Sequence, residues 1–240
     1  MCKYKYQLHM HTTPCSACGR LTPKELCETL VKYGYQGAVV TNHFYHGNSG
    51  IDRSESTTWE AFVSAYERDY LDIANEAKKY DLDILFSIEE SVSPGTEILC
   101  YGVTPEILYA NPQLRKSTGD EWIEAMRKNG ALVIQAHPFR EASYIPNPGP
   151  LPIDKIDGLE VYNGGNSSPV MNEKAIALAK ENPHLIRTSS ADAHVAECLP
   201  FGGIITGKRI KTEAELVEAL RSGEYEIIPI PGDVPQSYKE

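Results

Sequence analysis

Apolar residues along the chain gather in short runs that end on polar or ionisable residues, and between the runs their spacing opens to the three- and four-residue steps of helices. Nine runs read as strands: KYQLHM, GAVVT, LDILFSI, EILCYGV, ALVIQAH, GLEVYN, LIRTSS, GGIITG and YEIIP. Helix starts are legible between many of them. Thr22 with Glu25, Thr57 with Glu60, Thr118 with Glu121 and Thr212 with Glu215 have the capping-box spacing, in which the hydroxyl takes an orphan backbone N–H and the glutamate reaches back. Pro23 and Pro169 suit first-turn positions, where the missing N–H costs nothing. The segment 57–80 carries a helical stripe of Phe62, Tyr66, Tyr70, Ile73 and Ala77. Strands alternating with helices predict an α/β domain with a mostly parallel sheet, either open or closed into a barrel. No G-x-G-x-x-G follows a strand, so a dinucleotide-binding open sheet lacks its phosphate loop. The Pro-rich stretch IPNPGPLPID, 145–154, lies between strand-like runs and reads as a long loop, so residues 1–240 are expected to form a single domain.

Composition narrows the function more than the fold. At 240 residues and 41% hydrophobic content the chain can bury a full core. It has no apolar run of the roughly 18 residues that a membrane span needs, and MCKYKYQLHM lacks the apolar stretch of a leader, so a soluble, cytoplasmic protein is expected. Six cysteines scattered through such a chain predict reduced thiols rather than a disulfide framework. The formal net charge of -10 disfavours a protein that grips long nucleic acid, which needs a clustered basic surface. Small anionic substrates stay open, because metal ions can reverse the local field of a pocket. Nothing in the pattern sets an oligomeric state.

In parallel α/β folds the functional face lies at the carboxyl ends of the strands. His9 and His11 end the first strand, His43 follows GAVVTN, Glu89 follows LDILFSI, His137 ends ALVIQAH, Asn163 ends GLEVYN, and Asp192 and His194 follow LIRTSSA. Of seven histidines only His46 and His184 lie elsewhere. One histidine at a strand end is ordinarily a hydrogen-bonded structural residue. Five, brought to one rim together with carboxylates able to bridge two cations, predict a polynuclear site for Zn²⁺, Mn²⁺ or iron. The H-x-H pair fits, since alternate residues of a strand share a face.

The ordered set HMHT, TNH, SIEES, QAHP and SADAH resembles the polymerase and histidinol phosphatase (PHP) family of metal-dependent phosphoesterases, over residues 7 to about 205, and the closing segment FGGIITGKRIKTEAELVEALRSGEYEII is similar to that family's last strand, helix and strand. The resemblance implies a distorted (β/α)7-type barrel holding two or three divalent metal ions, Zn, Mn or Fe, at its rim. By motif, His9, His11, Glu89 and Asp192 would hold the first ion, Glu89 would bridge to a second bound by His137, and His43 and His194 would take a third. Two departures stand out. Asn42 replaces the family's usual Asp and offers a carbonyl oxygen without charge. Glu97 stands where a further histidine is common, an oxygen donor suited to a harder ion.

The reaction implied is hydrolysis of phosphate esters, small phosphorylated monoesters foremost, by a metal-activated hydroxide, with Arg140, Asp192 and His194 in the catalytic set. Arg140, three residues after His137, is placed to hold a phosphate in two-pronged fashion, Arg20 is a weaker candidate for the same task, and Asn163 is a third substrate candidate. Cys15 and Cys18 form a C-x-x-C, which predicts either thiols packing a loop, a ligand replacing the Asp or His that the family often places in this loop, or the redox pair of a thiol oxidoreductase. The redox reading explains two residues and leaves the other motifs unexplained. A catalytically silent metal-binding or regulatory domain is the remaining alternative, with Asn42 as its one hint. An amidohydrolase would share H-x-H and barrel, but no strand here ends in the bridging lysine such a site carries.

Overall fold

The computed structural model describes residues 3–230, so Cys2 lies outside the described residues. Three of the four expected capping boxes are formed. Thr22, Thr118 and Thr212 accept from the backbone of Glu25, Glu121 and Glu215, whose carboxylates reach back, and they start α1 (Pro23–Lys32), α4 (Gly119–Lys128) and α6 (Glu213–Ser222). The fourth start slips by one residue. Thr57 donates its hydroxyl to Asp52 in the preceding loop, and Thr58 caps α2 (Trp59–Ala77) by accepting from the Ala61 N–H. The buried stripe of α2 runs through Phe62, Tyr66, Asp69 and Ile73, so a carboxylate occupies the inner face where the sequence pattern favours Tyr70. The short α3 (Pro105–Tyr109) and α5 (Pro169–Glu181) both carry Pro in the first turn.

The nine expected strands are present as β1 (Tyr4–Gln7), β2 (Gly37–Val40), β3 (Asp83–Phe86), β5 (Thr96–Tyr101), β6 (Leu132–Gln135), β7 (Gly158–Asn163), β8 (Ile186–Ser190), β9 (Ile204–Thr206) and β10 (Tyr225–Ile227). A tenth, β4 (Glu89–Ser93), was hidden by its polar sequence EESVS. The strands form two five-stranded sheets, β10-β9-β1-β2-β3 and β4-β5-β6-β7-β8, rather than the closed ring expected. Pairing is mixed. The runs β1-β2-β3 and β6-β7-β8 are parallel, whereas β4-β5-β6, β1-β9 and β9-β10 are antiparallel. After β3 the chain passes through Ser87 and Ile88 and folds back as the β4-β5 hairpin.

The two sheets meet through isolated bridges, Met10 to Ala193 and His43 to Glu89, at the carboxyl ends of β1, β2 and β8 and the start of β4. Between them lies a shared core in which Tyr6, Leu8, Val39 and Leu85 of one sheet pack with Leu99, Tyr101, Leu132 and Ile134 of the other. Strand alternation sends Ala38 and Val40 to the opposite face, with Leu26, Leu30 and Ile73 of α1 and α2. Each fully buried aliphatic side chain of this kind stabilises the fold by roughly 1.5–3 kcal/mol. No helix among the described residues is long and apolar enough to cross a membrane.

Candidate metal centre

The bridges that join the sheets also assemble the site. Beyond β1 the chain stays extended, the His11 N–H donating to Ala193 O and the Ala193 N–H to His9 O, so His9 and His11 project on one side and Asp192 is drawn against them. On the other side Glu89 N–H donates to Asn42 O and Phe44 N–H to Glu89 O, which sets His43 beside Glu89. Glu97 lies opposite Ser91 on the β4-β5 hairpin, and His137 follows β6. His137 and Asp192 have φ of 29° and 53°, in the left-handed region that costs a side-chain-bearing residue energy and that clusters at functional sites.

Glu89 is at the centre and 1% exposed. Its Oε1 lies 3.1 Å from His9 Nε2 and 3.4 Å from His137 Nε2, and its Oε2 lies 2.8 Å from His43 Nδ1 and 3.4 Å from His11 Nε2. Asp192 Oδ1 is 3.3 Å from His9 Nε2 and 3.2 Å from His11 Nε2. The two oxygens of Glu97 approach His43 Nδ1 at 3.4 Å and His137 Nε2 at 3.3 Å. Three overlapping groups have ligand atoms within 4.8 Å of one another: His9, His11 and Asp192; His43, Glu89 and Glu97; His11, His43 and His194. His43 thus leans on the Glu89–Glu97 pair as well as on His194.

These donors fit divalent cations on two independent grounds. Both Glu89 oxygens and His43 Nδ1 have no hydrogen-bond partner in proper alignment among the described residues, despite their short approaches. A buried carboxylate left in that state is costly unless a cation faces it. The second ground is the protonation of the paired histidines, assigned from their hydrogen bonds. His9 Nδ1 faces the acceptor Glu160 Oε1 at 3.0 Å, so it carries the proton and leaves Nε2 bare. Ser16 gives its single hydroxyl proton to Asn42 Oδ1 and accepts from the His43 N–H, so the third contact at Ser16 must be donated by His11 Nδ1. His11 Nε2 is then bare too. The two bare nitrogens lie 3.1 Å apart, an arrangement that repels until a cation stands near both.

The electrostatics agree. Burial alone would raise Glu89 and Asp192, but neighbouring His9, with His43 for Glu89 and Arg140 for Asp192, outweighs it and holds both carboxyls well below the usual range. Burial likewise opposes charge on His9, yet Asp192, Glu89 and Glu160 raise it well above the ordinary imidazole value, so without a cation a second proton settles on Nε2, and the bare nitrogen is the form an ion would take by displacing it. For Cys18, burial pushes the thiol up, but His194 and His43 beside it overcome that and bring it down to about 6.

Around this cluster lies a layer that the sequence did not single out. Glu160 accepts from His9 Nδ1, Ser190 Oγ, the His137 N–H at 3.0 Å and Asn163 Nδ2 at 2.7 Å, fixing two candidate ligands at once. Its signal was a glutamate inside the otherwise apolar run GLEVYN. Among the described residues the Asn42 side chain hydrogen-bonds to none of the candidate ligands. Its Oδ1 accepts from the Thr12 N–H at 2.7 Å and Ser16 Oγ at 2.8 Å, and its Nδ2 donates to Thr12 Oγ1 at 2.7 Å and Asp69 Oδ2 at 2.9 Å.

The substrate candidates sit differently from expectation. Arg140 donates Nη2 to Asp192 Oδ2 at 2.5 Å and to Asn163 Oδ1 at 2.7 Å, with Gly165 leaving just the room this needs, since a Cβ there would lie 2.5 Å from Nη2. Asn163 is consumed by Arg140 and Glu160. Arg140 therefore holds Asp192 with only Oδ1 turned to the histidines. Arg140→Ala is expected to weaken metal binding by about 10–100-fold, as losing an outer partner of a ligand does, measured by chelator competition; a rise in KM alone, with metal affinity intact, would restore the phosphate-anchoring role. Arg20 is exposed, and its N–H donates to His194 O, which places it at the rim. Cys15 packs with Phe44, Trp59 and Phe62, and burial pushes its thiol well up.

No family model matches the sequence, and no curated protein matches it. Solved structures do match. A two-domain protein from Bacteroides vulgatus containing a predicted PHP-like metal-dependent phosphoesterase superposes with a TM-score of 0.69 at 13% identity over 95% of this chain, which spans 65% of that protein. PsfC from Pseudomonas syringae gives 0.67 at 14% identity over 100% of this chain and 95% of its own length. The lesion-specific endonuclease EndoQ from Pyrococcus furiosus gives 0.57 at 14% identity over 94% of this chain and 58% of its own. At such identities the likeness defines the fold, which this chain shares with that predicted PHP-like metal-dependent phosphoesterase and with an amidohydrolase from Chromobacterium violaceum, TM-score 0.55 at 14% identity over 93% of this chain and 97% of that one.

Proposed function

We propose that this chain is a PHP-type metal-dependent phosphoesterase that hydrolyses small phosphomonoesters in a centre of two or three divalent ions. The observation that carries this is the convergence of bare nitrogens and unpartnered, buried Glu89 oxygens from separate strand ends on one small volume. His9, His11 and Asp192 would hold one ion, and Glu97 and His137 a second, with Glu89 between them. Ions so held supply Lewis acidity, which acidifies water and neutralises phosphoryl oxygens.

The chain's own residues do the rest. Glu160 and Ser16 keep His9 and His11 in the tautomers that present Nε2. Arg140 holds Asp192, and Arg20, exposed and bonded through its backbone to His194, is the candidate to meet a phosphate. His194, with 31% of its side chain exposed, stands at the solvent edge of the cluster beside Asp192, whose carbonyl accepts its Nδ1–H at 2.9 Å. The net charge of -10 favours a single phosphate over a long polyanion. A reducing, cytoplasmic setting goes with this reading, in which the six cysteines are thiols. The Asn42 side chain bonds to no candidate ligand among the described residues, which supports an active centre over a silent domain.

Elemental analysis after reconstitution with Zn²⁺, Mn²⁺ or Fe²⁺, paired with a panel of phosphate esters, tests the proposal. At least about two ions per chain and hydrolysis lost on chelation are expected. Less than one ion per chain overturns the metal reading, and faster degradation of single-stranded DNA or RNA than of any small ester overturns the substrate class.

A further inference from the structure

The two glutamates that open β4 face opposite ways, as neighbours on a strand do: Glu89 into the ligand cluster, Glu90 towards the turn that follows His43. Glu90 is wholly buried. Its Oε2 accepts from the Tyr45 N–H at 3.0 Å and its Oε1 from the His46 N–H at 2.8 Å, with His46 Nδ1 3.4 Å from the same Oε1. Arg53 takes the other side of the turn, where its Nη1 donates to the carbonyls of Tyr45 and Gly47, both at 2.8 Å. The turn 45–47 is thus gripped by a carboxylate on its donors and a guanidinium on its acceptors. Its last residue stands against His43. A Cβ on Gly47 would lie 3.2 Å from His43 Cβ and 3.4 Å from His43 Nδ1, the nitrogen that approaches Glu89 Oε2 at 2.8 Å and Glu97 Oε1 at 3.4 Å. A buried carboxylate is costly to keep, and an amide would offer its one oxygen to only part of this pair of N–H groups.

Resting on the metal-dependent reading, we infer that Glu90 and Gly47 are positioning residues of the centre: Glu90, with Arg53 opposite, fixes the turn 45–47 so that a residue without a side chain backs the His43 imidazole and keeps its Nδ1 turned to Glu89 and Glu97. Both act through His43. Holding the ring in place beforehand removes its ordering cost from the binding of an ion, which is how a partner of a ligand raises affinity without being a ligand. The doubled glutamate of SIEES then divides its work between the two faces of β4, one carboxylate for the ions and one for the turn that supports their histidine.

Chelator competition on the zinc-loaded protein tests this without an assay of turnover, because it resolves the bound ions by affinity. Glu90→Gln leaves one acceptor and turns an NH₂ group towards a backbone donor, and Gly47→Ala presses a methyl on the imidazole. Each is expected to weaken one ion by about 10–100-fold and to leave the rest as in wild type. The double variant should lose less than the two losses combined, since both act through one ring. Thermal melts of the ion-free proteins run beside the titrations. A Glu90→Gln protein that weakens every ion together in step with a lowered Tm shows a merely structural glutamate and overturns the positioning role. So does a Gly47→Ala protein that binds every ion as wild type does, and this variant decides the point if Glu90→Gln fails to fold. Either result leaves the metal-dependent reading standing, whereas wild-type protein that holds less than one zinc per chain overturns both.

Discussion

Glu89→Gln is expected to abolish phosphoesterase activity and metal loading together. Glu89 approaches four histidines with its two oxygens, so one side chain faces both the His9–His11 pair and the His43 and His137 positions. A glutamine keeps the shape, but it has one acceptor oxygen and an NH₂ group that would point its donors at a cation or at a bare nitrogen. Removing an outer partner of a metal ligand typically costs about 10–100-fold in affinity. Losing the charge of the central carboxylate should therefore cost well over ~100-fold in kcat/KM and at least one ion per chain. The matching outer-layer change, Glu160→Gln, should fall within that smaller range, because it perturbs His9 without removing a donor from the centre. Elemental analysis and kcat/KM on one ester, measured for both variants, check the order. Equal losses would mean that the outer glutamate is itself a ligand, and a Glu89→Gln protein that retains its metals and activity would remove Glu89 from the centre.

That contrast between centre and surrounding layer also marks what the sequence made legible. The candidate ligands stand at ends of apolar runs, where side-chain chemistry changes abruptly, and all eight of His9, His11, His43, Glu89, Glu97, His137, Asp192 and His194 come together in space. The layer that holds them has no such signature. Ser16 looks like any loop serine until its single proton has been assigned, and Arg140 looks like a rim arginine until Asp192 is found against it. Asp69 was legible in principle, since it falls seven residues after Phe62 on the inner stripe of α2, but Tyr70 fitted the same stripe nearly as well. The open pairing between the sheets was beyond reach for a different reason: ring closure depends on single bridges at strand ends, and β4, which makes one of them, begins with two buried glutamates instead of an apolar run.

The Asp69 network carries the remaining large effect: Asn42→Asp is expected to destabilise the protein in a pH-dependent way, and Asn42→Asp combined with Asp69→Asn to restore it. In the wild-type protein Asp69 Oδ2 accepts from Asn42 Nδ2 at 2.9 Å and from Thr12 Oγ1 at 2.8 Å. Burial raises the Asp69 carboxyl from 3.8 to about 6, with the charge of Asp72 adding to the rise and the Thr12 and Asn42 hydrogen bonds opposing it. The folded state therefore holds a proton there more tightly than the unfolded chain does, and stability falls as pH rises from the unfolded value to about 6, by roughly 2–3 kcal/mol, and is flat above it. An aspartate at 42 replaces the Nδ2 donor by an acceptor and brings a second carboxylate against the first. One of the two must keep a proton, so the window of pH-dependent loss extends upward past 6, and at pH 8 the loss should reach about 3 kcal/mol or more, as for a buried charge left without a partner. The double substitution places a single charge at position 42 and turns the hydrogen bond round, with the new amide at position 69 donating and the Thr12 hydroxyl rotating to follow. Because Asn42 acts on the centre only through Ser16 and the His11 tautomer, the double variant should hold kcat/KM within a few-fold of wild type. Thermal melts at pH 5 and pH 8 with activity on one phosphate ester separate the possibilities: an Asn42→Asp protein as stable at pH 8 as wild type and several-fold more active would mean that a carboxylate at position 42 serves the metals directly.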